Sequence, residues 1–171
     1  GADNASFTID GHALKTAAVF DAEAKAAYAV RVRRTDQNGL AYEAPLTVTV
    51  DDANEAPTDI ILSSTTVPEQ RPRGTTVGEF AASDPDAAEF FSYALVSGAG
   101  DADNGAFDIR AYMLQTATSI TYAAQNRFHI RVRVTDRGDL AYERAFTLTV
   151  ADPGSFRTLA VRSAHGADEA V

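Results

Sequence analysis

The chain repeats itself, and the repeat constrains the fold more than any other feature. Gly-Leu-Ala-Tyr-Glu at 39–43 returns as Asp-Leu-Ala-Tyr-Glu at 139–143. Thr35-Asp36 and Thr135-Asp136 precede these segments, and Leu-Thr-Val-Thr-Val at 46–50 or Phe-Thr-Leu-Thr-Val at 146–150 follows them. Upstream, Asp3-Asn4 with Phe7 and Ile9 matches Asp103-Asn104 with Phe107 and Ile109. The two copies align without a gap, residue 1 on residue 101, and roughly 40 % of positions are identical, far beyond chance. The expected organisation is a complete repeat over 53–152, preceded at 1–52 by the second half of another. The tail at 153–171 has no counterpart and is expected to be poorly ordered. Because its first half is missing, the first repeat cannot close a core alone. A chain that starts at Gly1 instead of Met reads as a piece of something longer.

Periodicity identifies the repeating unit as strands. Phe128, Ile130, Val132 and Val134 alternate with His129, Arg131 and Arg133, the period-2 pattern of a half-buried strand. Phe146, Leu148 and Val150 alternate with Thr147 and Thr149, and Val30, Val32, Leu46, Val48 and Val50 share that parity. Further strands are expected at 60–62, 75–81, 91–96, 107–109 and 113–117, separated by turn residues such as Pro57, Pro68, Gly74, Pro85 and Asn104-Gly105. Only 20–27 and 120–125 suggest a helical turn. About seven strands in ~100 residues predict an all-β, Greek-key sandwich of immunoglobulin-like shape.

Composition then narrows the function. Asp and Glu number 24 against 15 Lys and Arg, a net charge of −9, which is the wrong sign for nucleic acid. There are no cysteines, which removes disulfides and thiolate metal sites. No apolar stretch approaches the ~20 residues of a transmembrane helix. The acids gather at Asp21 and Glu23, at Asp52, Asn54 and Glu55, at Asp84 and Asp86, and at Asp136. If sandwiches stack end to end, these seven carboxylates and one amide oxygen converge and repel one another. Hard cations relieve that repulsion, and calcium, which takes 6–8 oxygens in flexible geometry, suits such a set better than magnesium.

Four landmarks carry a family resemblance. Val67-Pro68-Glu69-Gln70 is similar to a Pro-Glu-Asn element, Asp84-Pro85-Asp86 to an Asp-x-Asp, and Phe20-Asp21-Ala22-Glu23 to Leu-Asp-Arg-Glu. Asp52-Ala53-Asn54-Glu55-Ala56-Pro57 is similar to the linker Asp-x-Asn-Asp-Asn-x-Pro, and Asp36 and Asp136 to the aspartate after the penultimate strand. In this order the chain resembles tandem cadherin-type repeats, in particular the bacterial cadherin-like repeats of surface adhesins. The resemblance implies Ca2+ held between repeats by Asp21, Glu23, Asp52, Asn54, Glu55, Asp84, Asp86 and Asp136. It also implies a stiffened array at the cell surface or outside the cell, and adhesion to another adhesin copy. The chain departs from the pattern in its linker, where Glu55 replaces an Asp. In the second repeat Thr121, Ala123 and Asp152-Pro153-Gly154-Ser155 replace the acidic motifs, so no calcium junction is expected below it. Glu69 is then left as a surface acid.

Other readings fit parts of the pattern. Asp84-Pro85-Asp86 is ordinary turn chemistry, 51–55 could be a flexible acidic linker, and Asp21 and Glu23 could cap a helical turn. Asn4 and Asn104 read as turn residues, and the arginines at 31, 33, 131 and 133 as a solvated outer face. A calcium-dependent binder of extracellular polysaccharide could stack sugars on Tyr42, Tyr112, Tyr122 or Tyr142; a plain structural spacer is the remaining alternative. His12, His129 and His165 are isolated, with no nucleophile–base pair, and the expectation is a non-enzyme.

Overall fold

The computed structural model describes residues 1–86 and 90–152 and divides into two compact units. The first comprises residues 1–55 with Pro85 and Asp86; the second holds the other described residues from Ala56 to Asp152. The tail at 153–171, with His165 and the Pro153-Gly154-Ser155 motif, lies outside the described residues.

Two antiparallel hairpins make up the first unit. Strands β1 (Phe7–Asp10) and β2 (Ala13–Thr16) pair from Phe7↔Thr16 to Asp10↔Ala13, and β3 (Ala27–Thr35) and β4 (Ala41–Thr49) from Ala27↔Thr49 to Thr35↔Ala41. The second unit continues with β5 (Asp59–Leu62), β6 (Thr66–Val67), β7 (Thr76–Ser83), β8 (Ser92–Leu95), β9 (Phe107–Arg110), β10 (Met113–Thr116), β11 (Arg127–Thr135) and β12 (Ala141–Val150). These eight strands form two four-stranded sheets, ordered β5-β7-β10-β9 and β6-β12-β11-β8. Sequence neighbours are not always sheet neighbours, as in a Greek key, and the two sheets bury one core between them.

The alternation seen in the sequence sets that core. Phe128, Ile130, Val132 and Val134 face inward on β11, and Phe146, Leu148 and Val150 on β12, against Ile60, Val67, Val77, Phe80, Phe107 and Leu114. Phe107 meets Phe128 edge-on at 5.5 Å between ring centres, and Phe80 stacks on Tyr93 at 5.3 Å. Arg144 of β12 reaches the other sheet, donating to the Asp59 carboxylate at 2.6 Å and the Ile60 carbonyl at 2.8 Å. Strand β6, only two residues long and parallel to β12, was not expected from the sequence. The segments at 20–27 and 120–125 each contain a single turn, closed by Lys25 N–H to Asp21 C=O and by Gln125 N–H to Thr121 C=O.

Two expectations need correction, and a third gains a role. Asn4 and Asn104, read as turn residues, sit in short 3-10 turns, but their side chains extend the sheets. Asn104 accepts from Arg131 N–H at 3.0 Å and donates to Val96 C=O at 2.9 Å, while Asn4 both accepts from and donates to the Arg31 backbone. The neighbouring Asp103 and Asp3 accept from the N–H of His129 and Ala29, both at 2.7 Å, completing a side-chain clamp along the strand edge. Arg131 and Arg133 both grip Glu143 across the sheet at 2.8 and 2.6 Å, so this row is tied by ion pairs and not merely solvated. These guanidiniums, Arg131 foremost, hold the Glu143 carboxyl below its usual range. Glu69, expected at the surface, is half-buried and accepts the Tyr122 N–H at 3.0 Å.

Two consequences can be measured. Asn104→Ala leaves the Arg131 N–H of β11 and the Val96 C=O without their partner and should cost about 1–3 kcal/mol in denaturant unfolding. Ala111 is held at φ 54, where its counterpart Gly11 has φ 61. Ala111→Gly should therefore stabilise the chain by about 0.5–1 kcal/mol, since relief of left-handed strain exceeds the added chain entropy.

Candidate metal centre

Three chain segments bring carboxylates together in the first unit. The first is the loop at 20–23, fixed by an aromatic trio. Phe20 stacks on Tyr28 of β3 at 4.3 Å and meets Phe7 of β1 edge-on at 5.3 Å, and Lys25 lies over the Tyr28 ring. Asp21 closes the following turn by accepting the Ala24 N–H at 2.8 Å. With its root anchored and its turn capped, this loop presents Glu23. The second segment is the connector after β4, which carries Asp52, Asn54 and Glu55. The third is the turn after β7, which carries Asp86; the Glu55 N–H donates to Asp86 Oδ2 at 3.0 Å and joins the two segments.

Glu23, Asp52, Glu55 and Asp86 each offer an oxygen, and the four oxygens lie within 4.8 Å of one another. Glu55 Oε2 is shielded from solvent and accepts no hydrogen bond, and one side-chain oxygen of Asp86 is shielded as well. Packing like charges this closely shifts their protonation. The Asp52 carboxylate beside Glu23 is the main cause that pushes Glu23 up to about 6. Burial pushes Glu55 up, aided by the charges of Asp86, Asp52 and Asp21.

The donor set fits calcium. Two oxygens bound to one calcium, each about 2.3–2.6 Å away, can be no more than about 5.2 Å apart. Oxygens within 4.8 Å of one another satisfy that limit. Magnesium demands near-ideal octahedral geometry and keeps several waters, so it is less suited to a set of protein carboxylates. Hard carboxylate oxygens, including one shielded and unsatisfied at Glu55, are the ligands such an ion takes.

The other residues expected as ligands are placed differently. Asp21 is a turn cap whose charge is felt at Glu55, and Asn54 donates from its amide nitrogen to the Glu55 carbonyl at 3.1 Å. Asp84 and Asp136 belong to the second unit. One Asp84 oxygen is shielded, and Asp136 is buried and accepts the Leu140 N–H at 2.8 Å in the turn between β11 and β12. Asp36 binds its own turn in the same way, through the N–H groups of Asn38 and Leu40. The structural roles of Glu69 and of the Asp-Asn clamps escaped the sequence reading. The signal for the clamps was the retention of Asp-Asn in both copies, at 3–4 and 103–104.

Comparison with known proteins places this architecture. A family model for the cadherin domain matches residues 63–151, more than half of the chain. The chain belongs to the cadherin family. It is 33 % identical over 150 residues to protocadherin Fat 2 of Mus musculus, a match covering 80 % of this chain and 3 % of that protein. Among solved structures, extracellular cadherin domains 3–6 of protocadherin gamma B2 superpose with a TM-score of 0.66 at 22 % identity, over 88 % of this chain and 37 % of that one. Chicken VE-cadherin domains 1–2 superpose with a TM-score of 0.56 at 21 % identity, over 87 % of this chain and 79 % of that one. The all-β sandwich is therefore a cadherin fold. These relatives establish the family without the bacterial source suggested by the sequence. Among the described residues no helix is long and apolar enough to cross a membrane.

The raised Glu23 carboxyl gives a pH test. Its folded value of about 6 lies above its ordinary value of 4.5. The stability it confers is therefore present below about pH 4.5 and lost as pH rises through about 6. In chelator, thermal unfolding should shift to lower temperature across that interval; Glu23→Gln should flatten this slope, and an unchanged slope would refute the assignment.

Proposed function

We propose that Glu23, Asp52, Glu55 and Asp86 form a calcium site that stiffens the connection between cadherin repeats in an adhesion protein of the cell surface or extracellular space. The convergence of four carboxylate oxygens within 4.8 Å carries this reading, and membership of the cadherin family supports it. A cation bound by all four would pin the connector at 52–55 to the loop at 20–23 and to the turn after β7. The connector would then lose the backbone freedom of a hinge. Ordering it this way costs conformational entropy that the binding energy offsets only when the ion is present.

Calcium supplies charge neutralisation and oxygen coordination, and the chain supplies the geometry. Asp21 holds the turn that aims Glu23, and the bond from Glu55 N–H fixes Asp86. Asp21, Asn54, Asp84 and Asp136 remain proposed ligands of this ion or of companions, since four monodentate carboxylates fall short of calcium's usual 6–8 oxygens. The partner in adhesion is proposed to be another cadherin-type chain, and the role non-catalytic.

Calorimetric titration of the chain with calcium is the direct test. Affinity should lie near the extracellular-module range of about 10⁻⁴–10⁻³ M. At 100 times Kd the bound state gains about 2.7 kcal/mol against unfolding. Asp52→Asn with Asp86→Asn keeps the side-chain shapes and should reduce calcium affinity at least tenfold, with magnesium much weaker throughout. A double variant that retains the full calcium response would overturn the proposal.

A further inference from the structure

Two of the chain's asparagines, Asn38 and Asn104, precede glycine. This dipeptide is chemically labile, because glycine has no Cβ to hinder attack by its own nitrogen on the neighbouring side-chain amide. The glycine nitrogen bonds to the asparagine Cγ and gives up its proton, ammonia leaves, and a cyclic imide closes. Water then opens the imide at either carbonyl. Opening at Cγ gives aspartate, and opening at the main-chain carbon gives isoaspartate, whose backbone is one atom longer. The balance is water consumed, ammonia released and a carboxylate gained, with no oxidation or reduction. The fold decides whether Cγ can reach the nitrogen, and it treats the two asparagines in opposite ways.

Asn104 is held. Its Oδ1 accepts the Arg131 N–H at 3.0 Å and its Nδ2 donates to the Val96 C=O at 2.9 Å. Turning Cγ toward the Gly105 nitrogen breaks both bonds and strips two backbone groups of their partner. Asn38 is not held. It lies in the β3–β4 turn, where every residue from 36 to 40 is exposed, and its side-chain amide makes no hydrogen bond among the described residues. The bonds of this turn belong to the main chain and to Asp36. Asn38 N–H and Leu40 N–H donate to Asp36 Oδ1 at 2.8 and 2.9 Å, and Gly39 N–H donates to Asp36 C=O at 3.1 Å. Gly39 sits at φ 81 with nothing within 4 Å of where a Cβ would stand, so no neighbour crowds it. Its N–H must leave Asp36 C=O before it reacts, and opening of that kind is easy at an exposed hairpin tip. Exposure here comes from the turn itself, since the corresponding positions 137–140 are all exposed in the closed sandwich of the second unit.

We propose that Asn38 is a site of spontaneous chemical modification, converted to aspartate and isoaspartate, and that the clamp formed by Asn104 preserves the same dipeptide in the second repeat. The isoaspartate product alters the hairpin. Its extra backbone atom lies between the N–H groups of residues 38 and 40, and takes them out of the spacing at which one Asp36 oxygen accepts both. The second repeat carries Gly138-Asp139 at the corresponding turn and has no asparagine there to convert. The inference does not depend on calcium, and Asn38 is not among the proposed ligands.

The test ages the full chain in a mildly alkaline, calcium-free buffer. Peptide mapping by mass spectrometry follows the amide-to-acid mass gain at both positions, with electron-transfer fragmentation to separate isoaspartate from aspartate. In the folded chain Asn38 should convert roughly tenfold faster than Asn104 or more, a factor that two retained hydrogen bonds supply. In denaturant the clamp is gone and the two rates should converge. Equal rates in the folded chain would overturn the proposal. So would an Asn38 that survives in the folded chain while both convert in denaturant, because the Gly39 turn bond would then be protective. Amide exchange gives a second reading. Leu40 N–H should exchange faster in the aged chain, whereas a fresh Asn38→Asp chain, with its normal backbone, should exchange as the unaged parent does. Isoaspartate at 38 with unchanged exchange at Leu40 would refute the loosening of the turn.

Discussion

Electrostatic repulsion among carboxylates is the constraint around which the first unit is arranged. Glu23, Asp52, Glu55 and Asp86 come from segments far apart in sequence, and water would keep them separated if the backbone allowed it. The backbone does not. Phe20 is fixed in the ring cluster with Phe7 and Tyr28, the connector leaves the end of β4, and Glu55 N–H holds Asp86. The strain appears as protonation: Glu23 retains a proton to about pH 6, and Glu55 is also raised. Bringing like charges together is unfavourable, and the cation proposed above would relieve that repulsion by sharing their oxygens.

A different force, hydrophobic burial, governs how much the two units differ in exposure. Inward-facing residues of nearly equivalent sequence form a closed core in the second unit and an open face in the first. Hydrophobic stabilisation depends on area removed from water, so a strand pattern has value only when an opposing sheet completes it. The first unit offsets part of this deficit locally, with a small aromatic cluster and with Asp3 and Asn4 taking up backbone groups that another strand would satisfy. Lys25 links the two devices, since it lies over Tyr28 and pairs with Asp3, whose carboxyl it holds below the usual range.

How much of this was legible in the sequence varied with range. The strands at 127–135 and 141–150 were legible because one face alternates over nine or ten residues. The two-residue β6 was not, because it has no period to detect and is defined by its partner β12. The clusters of acid were visible as clusters, but which of them meet is a property of loop ends in space. Eight ligands were expected; the group that converges within one unit is Glu23, Asp52, Glu55 and Asp86, while Asp21 serves as a cap and Asp136 as a buried turn residue. Glu69 illustrates the limit most clearly: nothing near it in sequence indicates that it will accept the N–H of Tyr122, 53 positions away.

The internal repeat also serves as a control on the meaning of the acids at 21 and 23. If they were there to start a helical turn, replacing them would loosen it. The second copy carries Thr121 and Ala123 instead, yet its turn closes with the same bond, Gln125 N–H to Thr121 C=O, as Lys25 N–H to Asp21 C=O. The anchoring ring at 20 is likewise replaced by Ile120, buried in the core. The turn therefore forms without negative charge. What Asp21 and Glu23 add is placement of charge beside Asp52 and Glu55, at a cost in repulsion that the second copy avoids. A set of charges that raises repulsion without being required for the turn to close is what the proposed cation would account for.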